Sequence, residues 1–321
     1  MNGPPVGGAA TRAGLTARLA QRLEGVAVVE GDAAIARFTT YRLGGPAAAL
    51  VHARSTAVIE ALAELVAAER LEVLVVGRGS NLLVADRGFP GVAIVLEGEL
   101  AEVVVEGPGP VTAGGGAGLQ ALARAAAGAG RGGLEFFVGI PGSVGGAVAM
   151  NAGGHGRETA EVLVAATVCD LLAGGVPTRR PVAELDLGYR RSALGATDVV
   201  VAAELATSPA PVEACEATIA EIVRWRREHQ PGGSNGGSVF RNPPDVSAGQ
   251  LIDELGLKGH RVGGAFVSPK HANFFQAEAG ATADDVRALV LDVRARVRAA
   301  TGVVLEPELR MVGFDDAREP A

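Results

Sequence analysis

The sequence predicts an α+β protein of three lobes, two α/β lobes followed by a C-terminal α/β lobe. Three observations carry this expectation. At 321 residues the chain is longer than one ordinary hydrophobic core fills. Helical and strand-like periods are mixed along it rather than segregated. Pro209 and Pro211 break the chain after a run of short strands, and longer helical patterns follow them.

Taken in order, the start of the chain is rich in Gly, Ala and Pro and lacks the apolar segment of a signal peptide; residues 1–19 read as a disordered tail. A first lobe is expected over residues 20–88. In it Ser55 or Thr56 can cap a helix whose apolar positions Val58, Ile59, Leu62, Leu65 and Val66 share one face. The run Leu71–Val76 then reads as a buried strand. A second lobe, 89–207, is mostly short strands (92–96, 102–105, 162–168 and 199–203), interrupted by one helix near Leu119–Ala127. The third lobe, 208–302, is expected to begin with a helix running to about His229, with Ile219, Ile222 and Val223 inward. Two more helical patterns lie near 249–255 and 283–300. A final strand, 303–312, carries Glu306 and Glu308 on one face. That strand is read as possibly returning to the first lobe, and residues 314–321 as a second tail.

Composition excludes several classes. A net charge of −7 argues against a general nucleic-acid binder, which needs a basic face. No apolar run reaches the ~18 residues of a membrane span. Cys169 and Cys215 are too few for a metal motif, and the five histidines show no ligand spacing, so no metal is expected. The reading is a cytoplasmic monomer.

Chemistry concentrates in two glycine-rich stretches. Residues 132–154 place glycines beside Phe136, Phe137, Ile140 and Met150, the pattern of backbone pressed against a bulky anion. The strand ending at Val76 breaks into Gly77-Arg78-Gly79-Ser80-Asn81-Leu82, which offers backbone donors, a hydroxyl, an amide and a guanidinium to a pyrophosphate. This is not the dinucleotide-fold fingerprint, because the third glycine is missing. Further downstream, Gly188-Tyr189-Arg190, Gly237-Ser238 with Arg241-Asn242, and Glu306-Pro307-Glu308 place polar groups in unusual settings. Taken alone, Ser238 reads as a turn serine and the two glutamates as a solvated strand face, although Pro307 between them fits an edge strand or bulge in which one carboxylate can turn toward a cleft.

The order of these motifs is specific. Residues 40–47 (TYRLGGPA), 77–83, 139–146 with Asn151-Ala152-Gly153, 188–190, 237–243, 263–265 with 271–274, and 305–310 together resemble the UDP-N-acetylenolpyruvoylglucosamine reductases, the MurB family of peptidoglycan synthesis. The resemblance covers about residues 20–313. It matches the shorter type II branch, since no tyrosine-bearing insertion separates Arg190 from Ser238. Two departures lie in or beside the third lobe: Gln276 after Phe274-Phe275, and a turn at 232–235 without a second proline.

The resemblance implies the FAD-binding fold of the vanillyl-alcohol-oxidase (PCMH) type, with two lobes holding non-covalent FAD and a third closing over the substrate. It implies reduction of UDP-N-acetylglucosamine enolpyruvate to UDP-N-acetylmuramate, with NADPH as co-substrate. Hydride would pass from flavin N5 to substrate C3. Arg190 would hold the substrate carboxylate, Ser238 would give the proton to C2, and Glu308 would polarise the substrate and relay the proton. The FAD pyrophosphate would rest on Gly77, Arg78, Gly79, Ser80, Asn81 and Leu82. On the second loop it would meet Gly139, Ile140, Pro141, Gly142, Ser143, Gly145 and Gly146, with Asn151 and Gly153 near the flavin. Tyr189, Arg241 and Asn242, with Arg227 as a weaker candidate, would meet the UDP-sugar. An alternative within the same fold is an oxidase with tethered flavin, for which His155 is the nearest histidine.

Overall fold

A computed structural model of the chain describes residues 9–314. Helix α1 (Ala9–Arg22) occupies much of the expected N-terminal tail. Leu15, Leu19 and Leu23 recur every fourth residue, share one face, and are buried in the first lobe. Residues 1–8 of that tail lie outside the described residues.

Five strands follow: β1 (Val28–Ala34), β2 (Pro46–Ala53), β3 (Val73–Val76), β4 (Leu82–Val84) and β5 (Phe89–Leu96), with helix α2 (Thr56–Glu69) between β2 and β3. The sheet runs β1-β2-β5-β3, with β1 antiparallel to β2 and β5 parallel to both its neighbours. In β3, Val73 and Val75 face the core under α1 and α2, whereas Leu74 and Val76 face a second core on the other side. Burial on both faces is why that run is apolar without alternation. The side-chain cap expected from Ser55 or Thr56 is not made. Instead the Glu99 carboxylate accepts from the Thr56 N–H at 2.8 Å.

The second lobe is an antiparallel sheet in the order Thr178–Pro181, Leu163–Asp170, Asp198–Leu205, Val111–Gly114, Val103–Val104. Helices α3 (Leu119–Gly128), α4 (Val144–Met150) and α5 (Val212–His229) belong with it. Cys215, Ile219 and Ile222 of α5 join the core built on Leu119, Phe136 and Phe137. The packing therefore moves the expected boundary from residue 208 to beyond α5, near Pro231. The two prolines start a helix; they do not start a lobe.

The third lobe packs α6 (Ala248–Glu254) and α7 (Ala283–Thr301) on a sheet ordered Ser234–Ser238, Phe274–Ala277, Ala265–Val267, Arg261–Val262. Its core takes in Tyr41 and Leu83 from the first lobe. Asp86 accepts from the free N–H groups of Ala283 and Asp284, both at 3.1 Å, so a first-lobe carboxylate caps α7.

The C-terminal strand is shorter than expected. Only Arg310–Val312 pairs, parallel to β4 of the first lobe. Pro307 has no N–H to donate, and its contact with Phe240 is an isolated bridge. Phe314, the first residue of the expected second tail, packs against the third core with Arg287 5.2 Å from its ring centroid. Residues 315–321 lie outside the described residues. Among the described residues no helix is long and apolar enough to cross a membrane, and no three His, Cys, Asp or Glu side chains are placed to hold a metal.

Candidate active site

The three lobes meet around a cavity of about 960 Å³. Both glycine loops line it, together with Arg190, Gly236, Gly237, Ser238, Glu308 and Arg310.

The glycines divide into two kinds. At Gly77 a Cβ would strike Ser143 Oγ, and at Gly79 (φ +56°) it would strike the Phe38 carbonyl, so the fold itself demands glycine there. At Gly142 a Cβ would find nothing nearer than 3.5 Å, and at Gly146 nothing nearer than 3.4 Å, so those two leave the cavity open. Among the described residues the N–H groups of Arg78, Gly79, Ser80, Asn81, Gly142 and Ser143 donate to no main-chain carbonyl. Such rows of unspent donors, one on each loop, form a cradle for the two phosphates of a dinucleotide. Ser143 is already committed: buried, it caps α4 by accepting from the Gly146 N–H at 3.3 Å. The residues present fit FAD: Gly77–Leu82 and Gly139–Gly146 would hold its pyrophosphate, and Gly153 also lines the cavity.

Ser238 is aimed by a bulge. The pairing between Ser234–Ser238 and Phe274–Ala277 slips between Asn235 and Ser238, across Gly236 and Gly237. Gly237 takes φ +74°, and a Cβ on Gly236 would meet Tyr41 Cε2 at 2.6 Å. Tyr41 is fully buried with its hydroxyl donating to the Phe275 carbonyl at 3.1 Å; burial raises its pKa, so the phenol stays neutral. Behind the bulge, Asn273 accepts from the Phe240 N–H at 3.0 Å and donates to the Phe240 carbonyl at 2.8 Å. The Ser238 hydroxyl has no hydrogen bond among the described residues. It is therefore free to donate to a ligand.

Glu308 and Arg190 form an ion pair at 2.8 Å, their side chains 16% and 20% exposed. Burial pushes the Glu308 carboxyl up from the usual range, and the Arg190 guanidinium pulls it partly back. The Glu308 N–H donates to the Val239 carbonyl at 2.7 Å, which ties this carboxylate to the residue after Ser238. Asn81 donates to the Glu308 carbonyl at 2.9 Å, which joins the first glycine loop to the same segment. Glu306 and Glu308 do not share a face. Without a ladder to impose alternation, Glu306 turns outward at 73% exposure.

Several expected ligand contacts are placed elsewhere. Asn151 does not line the cavity: it is fully buried in the left-handed conformation that ends α4. Its amide donates to the Gly188 carbonyl at 3.1 Å and accepts from the Ala160 N–H at 2.8 Å, fixing the turn that carries Arg190. Asn151→Ala is expected to cost about 2–4 kcal/mol of unfolding free energy in a denaturant titration, because two backbone groups lose their partner. A cost below about 0.5 kcal/mol would contradict this bracing role. Arg227 is exposed, and neither it nor Tyr189, Arg241 or Asn242 is among the residues that line the cavity.

Other residues take their place. Arg226 lines the cavity, four residues after Ile222 and seven after Ile219, so it continues the inward stripe of α5. Trp225 lies beside it, its ring 5.1 Å from that of His155 and 4.6 Å from that of His229. Burial and the Arg226 charge lower the His155 pKa, keeping that ring neutral. Arg310 also reaches the cavity. Burial lowers both Arg226 and Arg310 from the usual guanidinium value, so an arriving anion would restore the solvation they lose.

An antiparallel second lobe on an α/β first lobe, joined at two donor-lined glycine loops, defines an FAD-binding oxidoreductase of the PCMH type. The FAD binding domain model matches residues 47–176, and the model of the C-terminal domain of UDP-N-acetylenolpyruvoylglucosamine reductase matches residues 229–312. The chain belongs to the UDP-N-acetylenolpyruvoylglucosamine reductase family. It is 42% identical over 299 residues to the reductase of Synechococcus sp. (strain WH7803), covering 91% of this chain and 96% of that protein. It is 43% identical over 282 residues to that of Heliobacterium modesticaldum, covering 87% and 89% respectively. The crystal structure of the reductase from Thermus caldophilus superposes with a TM-score of 0.78 at 37% identity, over 89% of this chain and 99% of that one.

Proposed function

We propose that this chain reduces the enolpyruvyl group of UDP-N-acetylglucosamine enolpyruvate to the lactyl ether of UDP-N-acetylmuramate, with NADPH as reductant and FAD held without a covalent bond. One observation supports this most: the free Ser238 hydroxyl, the Arg190–Glu308 pair and two loops of unspent backbone donors all line a single cavity. Bound FAD supplies the hydride carrier that lets two substrates react in turn.

The chain's own residues then have three tasks. Reduction adds hydride at C3 and a proton at C2, and negative charge develops at C2 and its carboxylate. Arg190 faces that carboxylate as a fixed cation in a half-buried setting, where its field is weakly screened. Ser238 gives its hydroxyl proton to C2. A free serine is far too weak an acid for this, so the step depends on positioning by the Gly236–Gly237 bulge. Glu308 polarises the substrate and lies on the path by which the Ser238 proton is restored.

Non-covalent flavin is favoured by the burial of both cysteines, neither of which lines the cavity. Acid precipitation should release all of the flavin. We place the protein in the cytoplasm, since both proposed substrates are cytoplasmic nucleotides, and we read it as a monomer.

Anaerobic stopped-flow tests the reading directly. NADPH should bleach the yellow enzyme, and the enolpyruvyl UDP-sugar should restore the oxidised spectrum while UDP-N-acetylglucosamine does not. Bleaching without reoxidation by the enolpyruvyl sugar would sink it.

A further inference from the structure

We propose that Arg241 is a positioning residue of this reaction, holding the Arg190 turn against the Glu308 segment rather than touching the sugar nucleotide. The proposal rests on the roles given above to Arg190 and Glu308.

Arg241 stands behind the ion pair, outside the cavity lining. Its Nη2 donates to the Arg190 carbonyl at 3.2 Å, and its Nη1 lies 3.8 Å from Glu306 Oε2. Its backbone N–H donates to the Glu306 carbonyl at 2.9 Å. The next residue, Asn242, donates its N–H to the Tyr189 hydroxyl at 3.4 Å. These contacts join a turn of the second lobe to two segments of the third.

That turn needs an external hold. Arg190 sits at φ +54°, a left-handed conformation that costs a non-glycine residue energy. Gly188 and Arg191 close the turn by exchanging hydrogen bonds at 3.1 Å. Gly188 is fixed from one side by Asn151 and Arg190 from the other by Arg241, while the Arg190 guanidinium lies 5.0 Å from the Tyr189 ring centroid. Among the described residues, Arg241 Nε is the buried side-chain polar atom left without a partner. The guanidinium accepts that loss in order to place its terminal nitrogens.

Charge supports the same role. The cations acting on Glu308 are Arg190 and Arg241, both lowering its pKa against the rise that burial imposes, whereas Glu306 faces outward. Removing Arg241 therefore raises the Glu308 pKa. If the ionised carboxylate is the working form, the acid limb of the kcat profile moves to higher pH.

The test uses flavin-loaded Arg241→Gln and Arg241→Lys, with flavin content, calorimetric affinity for the sugar nucleotide, and kcat across pH. For Arg241→Gln we expect full flavin and affinity within about twofold, with kcat down about 10–100-fold from a displaced Arg190. The acid limb should move up by about half a unit or more. Arg241→Lys restores the charge but not the planar fork, so it should return the limb while leaving kcat low. A roughly tenfold or greater loss of affinity with kcat and limb unchanged would make Arg241 a direct ligand and overturn the proposal. So would a lowered melting temperature with an unmoved limb. If Arg241→Gln does not retain flavin, a Lys variant with wild-type kcat overturns it. A wild type without turnover in the same assay overturns the parent reading, and this one with it.

Discussion

Ser238→Ala is expected to keep its FAD and its rate of reduction by NADPH within about twofold, and to consume the enolpyruvyl sugar about 10²–10⁴-fold more slowly. The asymmetry follows from geometry. The hydroxyl has no partner among the described residues, so its loss leaves no buried group unsatisfied. The bulge that aims it is made by Gly236, Gly237 and Tyr41, and all three survive the substitution. The two glycine loops belong to the first two lobes, whereas Ser238 belongs to the third. The two half-reactions, followed separately under anaerobic conditions, check this. A variant that lost flavin, or that consumed the sugar at the wild-type rate, would remove Ser238 from the proton-donor role.

Arg190→Gln should lower turnover by about 10²–10³-fold through loss of the cation that faces the developing carboxylate charge. It should also destabilise the protein by about 2–4 kcal/mol at pH 7, because Glu308 is left charged and mostly buried. The pH dependence of that loss has a definite sign. Burial already holds the Glu308 pKa above its ordinary value, and losing Arg190 raises it further. The folded state then binds a proton more readily than the unfolded chain, so stability falls as pH rises from the ordinary glutamate value through the raised one. The deficit of Arg190→Gln relative to wild type should accordingly be smaller at pH 4 than at pH 7. Denaturant titrations at the two pH values measure it. A deficit independent of pH would mean that Glu308 does not titrate against Arg190.

Much of this fold is written locally. Helix α2 and strand β3 follow from apolar spacing, and the glycine loops stand out because few other settings combine glycines with large apolar residues. What was hidden depends on partners. β2 is alanine-rich and carries little strand propensity of its own; its neighbours β1 and β5 make it a strand. The leucine stripe of α1 was legible at every fourth residue, but glycine- and proline-rich composition just before it masked the signal. The affiliation of α5 could not be read from the two prolines preceding it, since a helix with one apolar face says nothing about which core that face will meet.

The site shows the same division. Arg190, Ser238 and Glu308 were marked by motif and all line the cavity. Alternation would put Glu306 and Glu308 on one face, but Pro307 interrupts the ladder that alternation requires, so Glu308 lines the cavity while Glu306 turns outward. On α5 it is Arg226, not the expected Arg227, that continues the helical period of Ile219 and Ile222 and lines the cavity. Asn151 is expected near the flavin, yet it lies buried outside the cavity lining; a buried amide that ends a helix and braces a distant turn looks in sequence like an amide that meets a ligand.

The parallel pairing of Arg310–Val312 with β4 bears on how the molecule is made. β4 emerges early from the ribosome, and the strand that completes its edge emerges last among the described residues. Glu308, which receives the Asn81 hydrogen bond, travels with that strand. During synthesis the first lobe can close its own sheet over α2, yet Leu83 stays without the third-lobe core into which it packs. A nascent chain stalled before residue 305 therefore carries both glycine loops, Arg190 and Ser238, but lacks Glu308 and Arg310.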